Sequence, residues 1–336
     1  MPQTDDRPIV AITMGDAAGI GPEIIIKALS HRSIYDCCRP LVVGDISVME
    51  RAGAMLGLSL EFRAVAEPTE ACFVLPTLDV LDLHNVDWSQ VQPGTVCAEA
   101  GRAAVEYVVR ATKLTLADEA QAIATAPLNK EAIRLGGCRF IDHTGILTEM
   151  TGSSRVTTML VTGPLRTVHV TRHVPLRAVA SLITVERVLE TIKVTDKGLC
   201  AMGIERPRLA VAALNPHAGE GGLLGDEETA AIAPAVRSAR AQGIDAHGPF
   251  PADSIFTRAL GGEFDAVVAM YHDQGHIPIK VHGLEESVAV TLGLPVVRTS
   301  VDHGTAFDIA WQGIADARSM AEAIKLAAQL AVSGYS

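Results

Sequence analysis

The chain has 336 residues, of which 48% are hydrophobic, 20% charged and only 4% aromatic. This is the composition of an ordinary globular protein, and the length allows one large or two medium-sized domains with a sizeable core. The formal net charge of −11 argues against nonspecific binding to nucleic acid or to an anionic membrane surface. No apolar run approaches the length needed to span a bilayer.

The N-terminus and the cysteines both indicate a cytoplasmic protein. The opening sequence MPQTDDRPIVAITMGD lacks the charged-then-apolar layout of a secretory signal peptide. The six cysteines are scattered without a CxxC pair, which favours reduced, packed thiols over a disulfide framework or a thiolate zinc site. We therefore expect no membrane partner and no nucleic-acid partner.

The first part of the chain alternates short apolar runs, typical of buried strands, with amphipathic stretches typical of helices. Strands are predicted at residues 9–13, 40–44, 80–83 and 122–126, and helices at residues 24–29 and 99–116. We expect Ser47 and Asp142 to cap the helices that follow them. The sequence MGDAAGIGPE after the first strand offers a glycine turn and a helix start to an anion, but it fits neither GxGxxG nor GK[ST].

The second part begins with a predicted hairpin, residues 157–161 and 167–170, that turns at Gly163-Pro164. Further elements are predicted as a helix at 185–201, a strand at 209–214, a helix from Asp226 to position 242, a strand at 266–270 and a helix at 319–332. The alternation predicts an α/β fold with parallel βαβ units and helices on both faces of the sheet. The hairpin suggests a subdomain, residues 126–244, that is inserted between the two parts of the first domain, residues 1–125 and 245–336.

Ionisable residues concentrate in the stretch 270–310, directly after a predicted buried strand. His173, His217 and His272 each follow a predicted strand end, and parallel strands bring such ends to one edge of the sheet. Three neutral imidazoles suit Zn²⁺, Co²⁺, Ni²⁺ or Mn²⁺, and an open coordination position could bind a substrate hydroxyl. Three separately hydrogen-bonded histidines explain the same pattern equally well.

Other charged residues in these loops are candidates for substrate contacts and proton transfer. Lys280 and Arg298, with Lys130, could bind a phosphate or a carboxylate, although a surface role fits Lys130 equally well. Asp253, placed in a proline-rich turn, and Asp273 could carry protons or support metal ligands; ordinary loop capping is the alternative. His303 could touch a cofactor or merely cap the following segment.

Eight phrases of the sequence together resemble the 4-hydroxythreonine-4-phosphate dehydrogenase family. They are MGDAAGIGPE, TAPLNKEA, DHT, HVTRHVPLR, LNPHAGEGG, GPFPAD, YHDQGHIPIK and GLPVVRTSVDHGTAFDIA, and they occur in the family's order over nearly the whole chain. TAPLNKEA, HDQGHIPIK and FDIAW look more like the second branch of the family. Members of that branch are thought to act on 4-phospho-D-threonate or 4-phospho-D-erythronate rather than in vitamin B6 synthesis.

The resemblance implies a two-domain α/β/α homodimer with a mostly parallel sheet, like the isocitrate and isopropylmalate dehydrogenases. Residues 1–125 and 245–336 are predicted to form the NAD-binding domain, and residues 126–244 the substrate and dimerisation subdomain. It implies NAD-dependent oxidation of a hydroxyl β to a carboxylate, followed by loss of CO₂, with a divalent cation (Zn, Co, Ni, Mn or Mg). His173, His217 and His272 match the family's metal ligands, which come from both subunits. The remaining assignments are His143, Thr144, Lys280 and Arg298 for the substrate, Asp253, Asp273 and Lys280 for catalysis, and Gly293, Asp302 and His303 for the cofactor.

Of three departures from the family pattern, the first two fall in the substrate site and the third costs only turn rigidity; the substrate could also be 4-phosphohydroxy-L-threonine. Ala289 replaces a usual asparagine, DHTG at 142–145 replaces the usual GHTE, and Ala17 replaces a proline. One alternative is a terephthalate-type cis-dihydrodiol dehydrogenase, whose relatives share HDQGHIPIK and act on a substrate without phosphate. Another is a non-catalytic metal- or ligand-binding protein on the same fold.

Overall fold

The computed structural model describes residues 5–140 and 142–333. Its contacts group the chain into two compact units: unit 1, Met1–Ser154 with Leu294–Ser336, and unit 2, Arg155–Gly293. The strands of unit 1 are β1 Ile9–Thr13, β2 Arg39–Gly44, β3 Glu61–Val65, β4 Thr77–Asp82, β5 Ala122–Thr125 and β12 Val297–Val301. Its helices are α1 Gly21–Leu29, α2 Arg32–Cys37, α3 Ile46–Leu56, α4 Ala98–Leu116, α5 Lys130–Leu135, α6 His143–Thr151 and α12 Arg318–Val332.

The strands of unit 2 are β6 Thr157–Thr162, β7 Leu165–His169, β8 Leu209–Ala212, β9 Ala246–Phe250, β10 Ala266–Ala269 and β11 Val288–Leu292. Its helices are α7 Leu176–Leu182, α8 Val185–Ala201, α9 Ala233–Ala241, α10 Ala252–Leu260 and α11 His272–Gly283. A π-helical turn, Glu228–Ile232, leads into α9. No helix within the described residues is both long and apolar enough to cross a bilayer.

The sheet of unit 1 is parallel, in the order β3-β4-β2-β1-β5-β12. Its central strands β1 and β5 are buried throughout, as expected for parallel strands covered on both faces. The hydroxyl of Thr299 in β12 donates to the Ala323 carbonyl of α12. Since side chains alternate along a strand, the neighbouring Arg298 points to the opposite face.

The strands of unit 2 lie in the order β11-β6-β7-β10-β8-β9. β6 pairs antiparallel with both β7 and β11, whereas β7, β10, β8 and β9 pair in parallel. The core between this sheet and α10 contains Leu165, Ile255, Phe256 and Val267. The predicted mostly parallel α/β fold is confirmed, as are the hairpin at Gly163-Pro164 and the helix Val185–Ala201.

Four predicted details are corrected. Asp45, not Ser47, caps α3, because its carboxylate accepts the backbone N–H groups of Ser47 and Val48. Asp253 lies in the first helical turn of α10, after Pro251, rather than in an irregular proline-rich loop. Helical structure after Asp226 starts as the π-helical turn rather than as a continuous α-helix to position 242. The strand β3 has no counterpart in the predicted elements, because most of its side chains are exposed.

The boundaries of the two units also differ from the predicted breaks after positions 125 and 244. Residues 126–154 form α5 and α6, which pack on α4 and therefore belong to unit 1. Residues 245–293 supply β9, β10 and β11 to the sheet of unit 2. The assignment of one part to NAD and the other to substrate and dimerisation stays a prediction.

Candidate active site

Two of the three predicted metal ligands lie next to each other in unit 2. His173 follows β7, and His272 is the first residue of α11, directly after β10. Because β7 and β10 are parallel neighbours, their carboxyl ends bring the two rings together, with centroids 5.8 Å apart. His173 has a φ of 33°, an uncommon backbone conformation for a residue with a side chain. Such strain is concentrated at functional sites.

Asp273 is placed to orient the ring of His272. One of its carboxylate oxygens lies 2.7 Å from Nδ1 of His272. A carboxylate on one ring nitrogen fixes the tautomer and leaves the other nitrogen, Nε2, as the acceptor for a cation. Asp273 is exposed, so this contact supports an orienting role for it more directly than a role as a buried proton carrier.

The third predicted ligand, His217, lies in a loop of left-handed backbone after β8. Five consecutive residues, 217–221, have φ between 45° and 77°. The loop is anchored by Glu228, a buried carboxylate that accepts the backbone N–H groups of Leu214 and Asn215 at 2.8 and 2.7 Å. The side chain of His217 is exposed and its Nδ1 lies 3.6 Å from Glu220. The rigid anchor and the strained loop present this imidazole to solvent.

Two further histidines, His169 and His276, join the same cluster and carry no predicted role. The ring of His276 stacks on that of His272, with centroids 3.6 Å apart and planes inclined by 11°. Nδ1 of His276 lies 3.2 Å from Nε2 of His169, at the end of β7. Burial and the neighbouring imidazoles hold the pKa of His169 well below its usual range. The four-residue spacing of His272 and His276 would have predicted their proximity if this segment had been assigned to a helix.

A cavity of about 530 Å³ opens beside these residues within unit 2. His173, His272 and Asp273 line it together with apolar side chains and with Arg172, whose guanidinium donates to the Thr158 hydroxyl at 2.7 Å. A few polar groups converging in a largely apolar pocket are typical of small-molecule sites. Arg172 adds a cation to the cavity that the predicted site residues do not include.

A second cluster of polar side chains lies in unit 1, around the buried Arg298 of β12. Its Nη2 donates to the hydroxyl of Thr125 at 2.7 Å, and burial lowers its pKa to about 10. Asp142, whose charge opposes this lowering, caps α6 as predicted by accepting the N–H of Gly145 at 2.9 Å. Arg298 therefore stays cationic at neutral pH.

His143, the first residue of α6, belongs to the same group. Its ring bonds to the backbone of Ala126, and its Nε2 is shielded from solvent without a hydrogen-bond partner. Burial, reinforced by the charge of Arg298, keeps the pKa of His143 well below its usual value. The imidazole is therefore neutral at pH 7, and its Nε2 can bond to a ligand.

Asp16, in the glycine turn after β1, is a buried carboxyl that the predicted site residues omit. Its Oδ1 accepts the Ala18 N–H at 2.9 Å, whereas its Oδ2 is buried without a hydrogen-bond partner. Burial raises the pKa of Asp16 to about 6, although the backbone N–H groups of Ala18 and Asn129 oppose the rise. Burial cannot be seen in a glycine-rich turn sequence, which is why this residue was missed.

The other predicted site residues are distributed over both units. Unit 1 contains Lys130 at the start of α5, Thr144 in α6, and Asp302 and the exposed His303 directly after β12. In unit 2, Lys280 lies in α11 and Asp253 is exposed on α10. Gly293 follows β11 with a φ of 88°, and a Cβ there would lie 2.0 Å from the Arg155 carbonyl oxygen. Its glycine is therefore required by packing, whatever its relation to a cofactor.

Within the described part of the chain, only Asp45, Asp82 and His84 offer three ligand atoms within 4.8 Å of one another. The oxygens of Asp45 already accept four backbone N–H groups, and Asp82 accepts those of Ile46 and His84. This group is therefore explained by helix and loop capping. The strand-end argument placed all three predicted histidines at one edge of the sheet, but within a single chain they do not form such a group. The family resemblance implies that the ligands come from two subunits.

Comparison with known proteins identifies the family of the chain. A family model described as "Pyridoxal phosphate biosynthetic protein PdxA" matches residues 36–327. The chain belongs to the PdxA family. The resemblance to the 4-hydroxythreonine-4-phosphate dehydrogenases is thereby confirmed.

Relatives of this PdxA-family chain are similar over its whole length. D-threonate 4-phosphate dehydrogenase of Cupriavidus necator is 50% identical over 329 residues, which are 98% of each chain. The crystal structure of 4-hydroxythreonine-4-phosphate dehydrogenase from Klebsiella pneumoniae is 45% identical, with a TM-score of 0.91 and coverage of 97% of this chain and 98% of that one. A terephthalate 1,2-cis-dihydrodiol dehydrogenase from Burkholderia xenovorans is 32% identical, with a TM-score of 0.66 and coverage of 96% and 98%. All three are dehydrogenases, so the chain is assigned as an oxidoreductase.

Proposed function

We propose that this chain is an NAD-dependent and divalent-metal-dependent dehydrogenase that oxidises and decarboxylates 4-phospho-D-threonate. The substrate follows the relative with 50% identity over the whole chain, which is named for D-threonate 4-phosphate. 4-Phospho-D-erythronate and 4-phosphohydroxy-L-threonine are the neighbouring candidates. One structural observation carries the proposal. The ring centroids of His173 and His272 lie 5.8 Å apart beside a cavity, and the carboxylate of Asp273 contacts Nδ1 of His272.

The residues present fit a divalent cation. Imidazole nitrogen suits Zn²⁺, Co²⁺, Ni²⁺ and Mn²⁺, and the bond from His272 to Asp273 leaves Nε2 as an acceptor. His173 and His217 both have positive φ, a strain that a ligating role would explain. His217 is held by the Glu228 anchor in an exposed loop, which is where a ligand shared with a second subunit would lie.

When bound, the cation would hold the substrate hydroxyl and stabilise negative charge on that oxygen. NAD⁺, when bound, would supply the hydride acceptor for the carbon that bears this hydroxyl. The hydroxyl proton passes to a base of the protein, for which Lys280, Asp273 and Asp253 are the proposed candidates. The resulting ketone lies β to the carboxylate, so the C–C bond electrons can move to the ketone oxygen as CO₂ leaves. A proton delivered to carbon completes the product, a phosphorylated three-carbon ketone.

The anionic ends of the substrate require cationic or N–H partners. Lys280 and Arg298 are the proposed partners of the phosphate and the carboxylate. In unit 1, His143 offers a shielded Nε2 and the adjacent Thr144 a hydroxyl. Gly293, Asp302 and His303, which follow β11 and β12, are proposed for NAD.

An exposed apolar surface in unit 2 supports a homodimer. Ile277 and Val281 of α11 are 59% and 82% exposed, and Leu176 of α7 is 72% exposed. Ile277 and Leu176 also line the cavity that contains His173 and His272. Apolar surface next to candidate ligands is what a second copy of the chain would cover if it contributed to the metal site.

Specific observations also favour the alternative of a terephthalate-type cis-dihydrodiol dehydrogenase. The terephthalate 1,2-cis-dihydrodiol dehydrogenase shares 32% identity over almost the whole chain. Ala289, in place of the asparagine usual in the family, removes a polar group from β11. An aromatic cis-diol acid is therefore the second substrate class to be tested.

The test is an NADH absorbance assay with purified enzyme, Co²⁺ and each substrate in turn. We expect NADH and CO₂ in equal amounts from 4-phospho-D-threonate, and no reaction after treatment with a chelator. Turnover of a cis-dihydrodiol acid with none of the phosphorylated acids would replace the proposed substrate. Absence of NADH with every substrate, from enzyme that binds Co²⁺, would favour the non-catalytic binding protein.

The metal ligands are tested separately by the substitution His217→Ala. We expect loss of Co²⁺ binding and of turnover with an unchanged circular dichroism spectrum, because the side chain is exposed and supports no core contact. His247→Ala is the matched control, since His247 of β9 also pairs with a carboxylate, Asp245 at 2.7 Å. Full activity in His217→Ala would contradict the metal assignment.

A further inference from the structure

We propose that His276 is a positioning residue that, with the help of His169, fixes the imidazole of His272. The inference rests on the proposed function where it concerns metal binding. Its structural part stands on contacts within unit 2. His276 and His169 would not touch the substrate; they would act through the ring of His272.

The contacts around His276 leave the ring of His272 little freedom. The two rings are nearly parallel and their centroids are 3.6 Å apart, so His276 covers one face of His272. On its edge, His272 is bonded through Nδ1 to Asp273. One contact sets the plane of the ring and the other its rotation within that plane. A donor nitrogen held in this way is preorganised for a cation.

The ring of His276 is itself held in place by two polar contacts of its Nδ1. Its Nδ1 lies 3.0 Å from the carbonyl oxygen of His272 and 3.2 Å from Nε2 of His169. The His272 carbonyl oxygen accepts at this contact, because a carbonyl oxygen only accepts hydrogen bonds. His169 is only 3% exposed and also bonds to the backbone of His272. His169 thus ties both the carbonyl of His272 and the ring that covers it.

The remaining residues of the sequence HDQGH fix the start of α11 at the same place. The side chain of Gln274 accepts the N–H of Met270 at 2.7 Å and donates to the Ala213 carbonyl at 2.8 Å. Gly275 lets the helix backbone approach the ring of His169, because a Cβ there would lie 2.3 Å from Nε2. Each residue between the two histidines therefore has a contact that places the helix start.

The stacked geometry argues against His276 as a second ligand of the same cation. The lone pair of an imidazole nitrogen lies in the ring plane, and a ligating nitrogen lies about 2.1 Å from Zn²⁺. Two rings whose centroids are 3.6 Å apart and whose planes are inclined by only 11° have planes that meet far beyond the reach of a ligating nitrogen of either ring. If His272 is the ligand, His276 acts only by positioning the ring of His272.

The test compares three variants: His276→Ala, His276→Phe and the control His282→Ala, which removes an exposed histidine from the last turn of α11. Co²⁺ affinity is measured by competition with a chelator, and ¹H–¹⁵N correlation spectra report the tautomer of His272 in the metal-free enzyme. We expect His276→Ala to weaken Co²⁺ binding about tenfold to a hundredfold and to mix the tautomers of His272. His276→Phe, which keeps a stacked ring, should recover part of both losses, and His282→Ala should match the wild type.

Unchanged Co²⁺ affinity in His276→Ala would overturn the inference, as would weakened affinity without any change in the His272 spectrum. An equal loss in His282→Ala would also overturn it, because the effect would then belong to the helix as a whole. If the wild-type enzyme binds no Co²⁺, the proposed metal dependence fails, and the spectrum of His272 in the metal-free variants decides the positioning role alone.

Discussion

The substitution Gly275→Ala tests how tightly α11 is pressed against β7. The added Cβ would lie 2.3 Å from Nε2 and 2.9 Å from Cδ2 of His169, and 3.2 Å from Cβ of Ala269. His169 is 3% exposed, so its ring cannot turn away into solvent. The helix start, the ring or both must therefore move.

The expected cost follows from two opposing effects. Overpacking of a dense core typically costs about 1–3 kcal/mol, and the overlap here favours the upper end of that range. Alanine in place of glycine within a helix returns up to about 1 kcal/mol. We therefore expect the free energy of unfolding of the Gly275→Ala enzyme to fall by about 2 kcal/mol, the difference of these two effects.

Urea denaturation followed by circular dichroism measures this loss. Gly261→Ala, at the end of α10, is the matched control, because the nearest atom to its new Cβ is the Arg258 carbonyl oxygen at 3.4 Å. A second substitution, His169→Ala, should recover part of the stability lost in Gly275→Ala by removing the ring. Wild-type stability of Gly275→Ala, or purely additive effects of the two substitutions, would refute the packing on which the placement of His272 depends.

Two carboxyl groups of unit 1 give further predictions. Burial raises the pKa of Asp16 in the folded protein to about 6 from its ordinary value of 3.8, so the stability that its protonated form contributes is full below pH 4 and is lost as pH rises through 6. Asp16→Asn should therefore gain about 3 kcal/mol relative to wild type between pH 4 and pH 7 in urea titrations; parallel pH profiles would contradict the burial. Asp142→Ala removes the cap bond to Gly145 and should cost about 1 kcal/mol. An unchanged melting temperature would show that the cap does not contribute.

Periodicity predicted the elements whose burial is regular along the chain. The helix Val185–Ala201 and the strand Ile9–Thr13 agree residue for residue with the structure. The strand Glu61–Val65 alternates polar and apolar residues at its start, which is a strand pattern, but most of its side chains are exposed. It is missing from the predicted elements because those were identified by the short apolar runs typical of buried strands.

The start of α11 shows a different limit. Gly275 and Pro278 are both unfavourable inside a helix, so the sequence of residues 272–283 does not indicate one. The helix is held by tertiary contacts, namely the two bonds of Gln274 and the packing of Gly275 on His169. Without that helix, the i, i+4 relation of His272 and His276 could not be seen.

The predicted site residues depended on strand ends and on family resemblance. Parallel pairing of β7 and β10 places His173 beside His272, as the strand-end argument anticipates. Burial was not accessible to that argument, which is why Asp16 was missed and why the depth of Arg298 was not anticipated. The proposed convergence of all three histidines would require a second subunit, and the sequence of one chain contains no sign of how two copies meet.

The shared metal site can be tested most directly by mixing two inactive parents. His217→Ala and His272→Ala each remove one proposed ligand from every site of a homodimer. In a heterodimer purified through two different tags, one site regains all three histidines if His217 and His272 come from different chains. We predict that each parent binds no Co²⁺, whereas the heterodimer binds one ion and regains NADH formation with 4-phospho-D-threonate. A heterodimer as empty and inactive as its parents, or failure of the two chains to associate, would contradict a metal site built from both subunits.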